Sequence, residues 1–331
     1  MNYRKLGKTD LTISEIGFGC QSIAGGLYYK SNSESIKTLL EAFDSGVNFF
    51  DTSDHYSQGE SEKLIGKAFK SKRDKIIIGT KAGTLYQPLT HYILKLRPLI
   101  RPVSKYLRSI KIPLHLMRTQ QKRSDFSSKY LLRAVEQSLK RLETDYIDLF
   151  QLHKPSKEIL EKGEFVETLE KLKEQGKIRY YGISCSNNED VFVCFNYKGI
   201  SSVQITFNLL DKKQIKEILV SAKEKEVGVI ARNPRAQGHL TNELSDILGE
   251  TYAKSMYDFE NKKQKAKRFW FLVNPNRTLA QAALQYVLSF EGISTAIPRS
   301  VNRKQLRETL CALTSPPLSD EDFVKIYYME E

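Results

Sequence analysis

The sequence is short of the features that mark secreted, membrane-spanning or metal-clustered proteins. Its 331 residues hold only four cysteines, Cys20, Cys185, Cys194 and Cys311, scattered and without CxxC spacing. Neither a disulfide framework nor a zinc ribbon is written there, and reduced thiols in a cytoplasmic protein are expected. No apolar run reaches the roughly eighteen residues of a membrane span. The opening stretch MNYRKLGKTDLTIS lacks the apolar core of a secretory signal, so none is expected. His91, His115 and His239 have no ligand spacing with Cys or acid, which argues against a metal site. What remains is a chain with 40% apolar and 27% charged residues, long enough to bury a large core.

Acidic residues are missing from one place in particular. Residues 91–123 contain Lys95, Arg97, Arg101, Lys105, Arg108, Lys111, Arg118, Lys122 and Arg123 and no Asp or Glu. Residues 253–268 are also basic, with only Asp258 and Glu260 against Lys254, Lys262, Lys263, Lys265, Lys267 and Arg268. Together these two windows carry the whole net charge of +13, so the rest of the chain is neutral.

Along the chain one unit repeats: a short apolar strand, a turn, then an amphipathic helix. The segments 15–20, 48–53, 75–82, 146–153, 178–185, 202–208, 227–232 and 294–299 read as strands, most of them apolar on both faces. The segments 33–45, 60–70, 127–142, 161–175, 212–225, 277–289 and 302–312 follow helical spacing. In 127–142 the apolar stripe is Leu131, Leu132, Val135, Leu139 and Leu142. Eight strands alternating with helices predict an α/β (β/α)8 TIM barrel, a single domain over 1–331. The competing doubly wound sheet would want a G-x-G-x-x-G after its first strand. GFGCQS and AGGLYY stand there instead. Before the first strand, NYRKLGKTDLTIS reads as a β-hairpin turning at Gly7-Lys8 and closing the bottom of the barrel. Two connections, 84–125 and 233–276, are long for a compact domain and follow strand C-termini, so both belong on the face where barrel active sites lie. The basic windows fall within these loops.

Four polar residues stand where strands end or just beyond: Asp51, Tyr56, Lys81 and His153. Their chemistry is coherent. A tyrosine hydroxyl ionises near ~10, and a nearby ammonium favours its phenolate. A carboxylate keeps that ammonium charged and aimed. A histidine donates to a carbonyl oxygen or relays a proton. Such a centre exchanges a proton with a carbonyl or an alcohol. Taken alone, Asp51 and Lys81 read as a structural ion pair; with Tyr56 and His153 in register, the catalytic reading is preferred. His55 reads as rim. Cys20 and Cys185 read as small buried thiols.

The segments FDTSDHYSQGESEKLIGKAF (50–69), GTKAG (79–83), DYIDLFQLHKP (145–155), YYGIS (180–184), VQITFNLLD (203–211) and IPRSVNRKQLRET (297–309) occur in an order that resembles the aldo-keto reductase superfamily over nearly the whole chain. The resemblance implies a barrel that binds NADP(H) without a Rossmann domain and transfers the 4-pro-R hydride. Tyr56 would be general acid and base, Asp51 and Lys81 would tune it, and His153 would position the carbonyl. It further implies Ser184 and Gln204 on the nicotinamide carboxamide, and Pro234, Gly238 and Leu240 in a loop along the pyrophosphate. Arg299 and Ser300, with Arg303, would grip the 2′-phosphate, a role that suits a guanidinium. Gln305 and Glu308 would lie at the adenine end. The chain departs from the pattern at Cys185, where many relatives have Asn, at Arg232, where many have a tyrosine stacked on the nicotinamide, at Thr309, and in its long basic insertion.

The expected activity is therefore NADPH-dependent reduction of an aldehyde or ketone, with a sugar or an anionic carbonyl compound as candidate substrates. A cofactor-sensing regulatory subunit with little turnover and an NAD-linked sugar dehydrogenase remain as alternatives. For 91–117 three readings stay open: a lid with solvated lysines, a cationic rim for an anionic substrate, and a segment touching an anionic membrane surface, which Pro98, Pro102 and Pro113 disfavour as one long helix. No nucleic-acid recognition motif accompanies the charge. No sequence feature specifies an oligomeric state.

Overall fold

The computed structural model describes residues 1–24, 31–85, 123–241 and 259–329. Eight parallel strands form one sheet in chain order: β1 (Phe18–Gly19), β2 (Phe49–Asp51), β3 (Ile77–Ala82), β4 (Ile147–His153), β5 (Ile178–Ser184), β6 (Ser202–Thr206), β7 (Gly228–Arg232) and β8 (Ile293–Ile297). Parallel bridges Ile16–Ala296 and Gly19–Arg299 join the last strand to the first, so the sheet closes as the alternation predicts. Around it lie α1 (Asn32–Asp44), α2 (Glu60–Phe69), α3 (Ser128–Leu142), α4 (Phe165–Glu174), α5 (Asp190–Cys194), α6 (Ile215–Glu224), α7 (Leu279–Leu288) and α8 (Arg303–Leu310). This is a (β/α)8 barrel. No helix among the described residues is long and apolar enough to cross a membrane.

Strand alternation divides the barrel into two kinds of interior. Outward-facing Phe50, Ile78, Phe150, Ile183, Val203 and Val229 join the large core between sheet and helices. Inward-facing Phe49, Leu149, Ile230 and Ile297 form a separate cluster at the N-terminal end, plugged by Leu6, Leu11 and Ile13. These three come from the antiparallel hairpin Tyr3–Lys5 with Thr12–Ser14, which closes the bottom as expected. Its turn needs glycine. Gly7 has φ +53°, and a Cβ there would meet Glu226 O and Gly228 N at 2.5 Å. That close approach lets Lys8 N donate to Glu226 O at 2.8 Å and fixes the plug against the start of β7.

The helices follow their apolar stripes. In α3, Leu131, Val135, Leu139 and Leu142 are buried, whereas Leu132 is half-buried at the edge of the stripe. Ser127 caps its N-terminus by accepting from Tyr130 N at 3.3 Å. The predicted helix over 161–175 is instead two, Lys157–Lys162 and α4, because Gly163 at φ +65° turns the chain between them. A C-terminal helix, Asp320–Tyr328, and the short α5 had too few periodic residues to be read from sequence.

The two long connections are partly described. The first begins and ends in a small antiparallel pair, Thr84–Leu85 with Arg123–Ser124, so its stem is a ribbon. The second contains the helix Phe259–Lys267 and a turn of 3-10 helix at Trp270–Leu272. The basic window 91–123, with its lid, rim and membrane-contact readings, lies outside the described residues except for Arg123. Residues 253–258 of the other window also lie outside them.

Candidate active site

Continuing each inward-facing row upward from the apolar plug changes its chemistry. Two residues past Phe49 comes Asp51. Past Leu149 come Gln151 and His153, and past Ile230 comes Arg232. Lys81, Ser184 and Gln204 stand at the same level on β3, β5 and β6. The registers Lys81–Gln151, His153–Ser184 and Ser184–Gln204 place these residues side by side. Alternation thus converts strand position directly into a ring of polar side chains at the C-terminal end.

At its centre Lys81 Nζ lies 2.7 Å from Asp51 Oδ2 and donates to Thr52 O at 2.8 Å. The lysine side chain is 0% exposed and the aspartate 3%, so this is a fully desolvated pair. Burial works against the ammonium, but Asp51 and Tyr56 together hold the Lys81 pKa above its ordinary value. The other carboxylate oxygen, Asp51 Oδ1, accepts from Gln204 Nε2 at 2.8 Å and Gln151 Nε2 at 3.4 Å. Gln204 Oε1 in turn accepts from Ser184 Oγ at 2.9 Å. Ser184, Gln204, Asp51 and Lys81 therefore form one hydrogen-bonded chain across four strands. Gln151, which the sequence reading did not single out, belongs to it.

Tyr56 begins a 3-10 turn just after β2 and is half-buried. Lys81 Nζ is 5.3 Å from its ring centroid, and the His153 ring stands edge-on at 6.0 Å and 86°. The turn that sets this pose is strained, with Ser57, Gln58 and Gly59 all at positive φ (50°, 61° and 85°). The ammonium was expected to lower the Tyr56 pKa. The net direction is upward, because burial outweighs the lowering by Lys81 and Arg232. With its pKa raised, the phenol keeps its proton at neutral pH, which suits an acid.

His153 is held well below the usual imidazole range, first by burial and then by Lys81, His55, Lys154 and Arg232. It is a neutral imidazole at pH 7. Its Nδ1 is 3.1 Å from Ser53 Oγ. Arg232, in place of an aromatic residue, donates from Nη2 to Cys185 O at 2.7 Å and Ser186 O at 3.4 Å, while its buried Nε has no partner among the described residues. Cys20 and Cys185 are buried thiols with raised pKa values, Cys20 through burial and Cys185 through its neighbour Cys194 and then burial. The Cys185 and Cys194 sulfurs are 3.7 Å apart.

A second cluster lies where the β7 loop meets the turn after β8. Pro234, Gly238 and Leu240 are buried in a loop whose Asn233, Ala236, Gln237 and Gly238 have positive φ. Arg235, between them, is buried. It donates to Arg299 O and reaches Thr309 Oγ1 at 3.5 Å. Burial brings its pKa down to about 10, with Arg299 lowering it and Glu308 raising it. Ser300 Oγ and Thr309 Oγ1 are 3.5 Å apart, and Gln305 Oε1 accepts from Val301 N at 3.1 Å. Arg303 is turned away from this cluster, toward Glu34 and Glu41 of α1 at 3.4 and 3.9 Å. Arg235 was not anticipated. A lone arginine in a loop carries no sequence signal until the fold buries it beside Arg299.

The arrangement fits a long anionic ligand. One end holds the Ser184 hydroxyl and the Gln204 amide, linked through Asp51 to Lys81, and the other holds the Arg235 guanidinium beside Arg299, with Glu308 as the acid that raises Arg235.

Comparison with known proteins agrees. The model of the Aldo/keto reductase family matches residues 15–330. The chain is 32% identical to the uncharacterized oxidoreductase YqkF of Bacillus subtilis, over 97% of this chain and 94% of that protein. It is 26% identical to the NADH-specific methylglyoxal reductase of Escherichia coli, over 98% and 97%. The holo form of the aldo-keto reductase AKR11C1 from Bacillus halodurans superposes with a TM-score of 0.78 at 28% identity, over 100% of this chain and 97% of that one. With a family match spanning nearly its whole length, and a closed barrel whose polar end gathers Asp51, Tyr56, Lys81 and His153, the chain belongs to the aldo/keto reductase family of oxidoreductases that act on carbonyl compounds with nicotinamide cofactors.

Proposed function

We propose that the protein is a cytoplasmic NADPH-dependent reductase of an aldehyde or ketone, with Tyr56 as the proton donor. The observation that carries this reading is the buried Lys81–Asp51 pair at 2.7 Å beneath a protonated Tyr56, with neutral His153 edge-on to the phenol. Bound reduced nicotinamide supplies the hydride to the carbonyl carbon. His153 orients the carbonyl oxygen toward Tyr56. The Tyr56 hydroxyl gives its proton to that oxygen as negative charge develops there. Lys81 stabilises the phenolate left behind, and Asp51 keeps Lys81 charged and directed. Ser184 and Gln204 would hold the carboxamide, with Gln204 exchanging part of its contact with Asp51 for the ligand. Arg299 and Ser300 would hold the 2′-phosphate, with buried Arg235 adding charge behind them. Gln305 and Glu308 would flank the adenine end. Arg303 is proposed to reach the phosphate only if it leaves Glu34 and Glu41.

The name of the Escherichia coli relative favours a second reading, an NADH-linked enzyme. Titration with NADPH and NADH, followed by Trp270 fluorescence and calorimetry, separates the two. Tighter binding of NADPH, lost in Arg299→Ala, supports the proposal. Equal binding of both cofactors, unchanged in Arg299→Ala, supports the NAD-linked enzyme. Tight binding with no turnover of any carbonyl, in wild type as in Tyr56→Phe, would point to a cofactor-sensing subunit.

A further inference from the structure

His153 is neutral, so its single ring proton sits on one nitrogen or the other, and the two tautomers do opposite things. With the proton on Nε2, that nitrogen donates to a carbonyl oxygen. With the proton on Nδ1, Nε2 presents a lone pair that repels the same oxygen. What faces Nδ1 decides between them, and what faces Nδ1 is Ser53 Oγ at 3.1 Å.

The Ser53 hydroxyl has one hydrogen and several claimants. It accepts from His55 N at 3.2 Å. Its hydrogen can go to Lys81 O at 3.1 Å, to Asp54 Oδ1 at 3.3 Å, or to His153 Nδ1. Asp54 sits one residue on, anchored by Lys81 O accepting from its backbone N at 3.0 Å and by Tyr130 OH donating to its Oδ2 at 3.0 Å. Tyr130 belongs to α3, so the carboxyl is held from two sides and only Oδ1 is turned to Ser53.

We propose that Ser53 is a positioning residue that sets the tautomer of His153, and that Asp54 decides which tautomer it sets. When Asp54 carries a proton on Oδ1, it donates to Ser53 Oγ. The Ser53 hydrogen then points to Nδ1, and the ring proton stays on Nε2, facing the substrate. When Asp54 is ionised, Oδ1 takes the Ser53 hydrogen. Ser53 Oγ then accepts from Nδ1–H, and Nε2 is left as an acceptor. No proton leaves the His153 ring as a net charge. Every hydrogen bond in the chain reverses direction together.

The surroundings put this switch in a useful range. Asp54 is faced by Glu62 of α2, by Arg141 and Tyr130 of α3, and by Ser53. Burial, then Glu62, raise its pKa to about 7 against the pull of Tyr130, Arg141 and Ser53. Glu62 is itself fixed, accepting from Thr80 Oγ1 at 2.6 Å and paired with Arg141 at 2.6 Å. His153 is faced by Lys81 of β3, Arg232 of β7, His55 and Tyr56 of the β2 loop, and Lys154 beside it. The cations among them suppress a charged imidazolium, which leaves the tautomer as its only freedom.

The inference rests on the reductase reading for its consequence, but its physical core can be read without turnover. The ring nitrogens of 15N-labelled protein are observed from about pH 5.5 to 8.5, with His153 assigned by its loss in His153→Gln. Wild type is expected to stay neutral at His153 and to pass from Nε2–H to Nδ1–H as the pH rises through about 7. Asp54→Asn, whose amide can donate to Ser53 at every pH, is expected to hold Nε2–H throughout. Ser53→Ala is expected to remove the pH response, and Ser53→Thr to restore it. In rate measurements with NADPH and 4-nitrobenzaldehyde, Ser53→Ala is expected to raise KM about five- to tenfold near pH 6, with a smaller change in kcat. The wild-type rise in KM across neutrality should vanish in Asp54→Asn. A His153 tautomer that does not change with pH in wild type overturns the proposal, even if Ser53→Ala fails to fold. So does a Ser53→Ala protein with the wild-type tautomer response. An absence of turnover with aldehydes would instead overturn the reductase reading, and the nitrogen shifts would still decide this one.

Discussion

The two ends of the barrel interior are built from the same inward-facing rows and do opposite work. At the N-terminal end Phe49, Leu149, Ile230 and Ile297 pack against Leu6, Leu11 and Ile13, all nearly solvent-free. Two residues further along the same strands stand Asp51, Gln151 and Arg232. The lower layer is stabilised by burial of apolar surface, at about 1.5–3 kcal/mol for each fully buried aliphatic side chain. The upper layer is a desolvated ion pair in a ring of amides, with strained turns above it at Ser57–Gly59 and Ala236–Gly238. Desolvation is costly there and is offset for Lys81 and Asp51 because each is the close partner of the other. The bottom supplies stability that the top uses to hold chemistry in place.

This contrast can be broken, with the largest effect expected at the top. Tyr56→Phe removes one oxygen and should lower kcat about 10²- to 10⁴-fold with the melting temperature nearly unchanged, as turnover and calorimetry on the same sample would show. Lys81→Met leaves Asp51 buried and unpaired, and should cost about 3–5 kcal/mol in urea unfolding. The double variant Lys81→Met/Asp51→Leu should recover much of that stability and stay inactive. If the double variant is no more stable than the single one, the account of the upper layer is wrong. At the bottom, Leu149→Ala should cost about 2–5 kcal/mol while kcat measured at a permissive temperature holds. A loss of activity without a loss of stability there would erase the division between the ends.

The smallest effect is a pH dependence. The pKa of Asp54 is raised in the folded state to about 7, mainly by burial. A carboxyl raised on folding favours the native state while protonated. Its contribution is whole below the ordinary carboxylate range and is lost as pH rises through about 7. Asp54→Asn should therefore gain stability over wild type progressively from about pH 4 to pH 8, with no further gain above. A constant difference across that range would mean that Asp54 does not titrate there.

Much of the fold was legible because burial and period are local signals. The strand segments and the stripe of α3 announce themselves in apolar spacing, and the hairpin plug in its turn at Gly7-Lys8. Boundaries were less so. A single glycine, Gly163, split one expected helix, and Asp320–Tyr328 offered too little pattern. Within the site, Asp51, Tyr56, Lys81 and His153 stood out because each is polar at or just past a strand end. Ser53 and Asp54 did not, although they lie beside Tyr56 in sequence, because a serine and an aspartate in a turn usually serve the turn. Nor did Gln151, masked as one more residue of a buried strand, or Arg235, whose meaning depends on the segment that follows the neighbouring strand β8.

By itself the sequence determined which residues face inward and which kind of chemistry each strand end presents, because alternation and residue type are properties of the chain. The tertiary structure alone decided which groups touch and which states they hold. Burial turned the expected lowering of the Tyr56 pKa into a rise and kept His153 neutral. Arg303 went to Glu34 and Glu41, and Ser53 was brought to His153 Nδ1 across a hundred residues of chain. Those outcomes depend on distance and desolvation, which exist only once the barrel has closed.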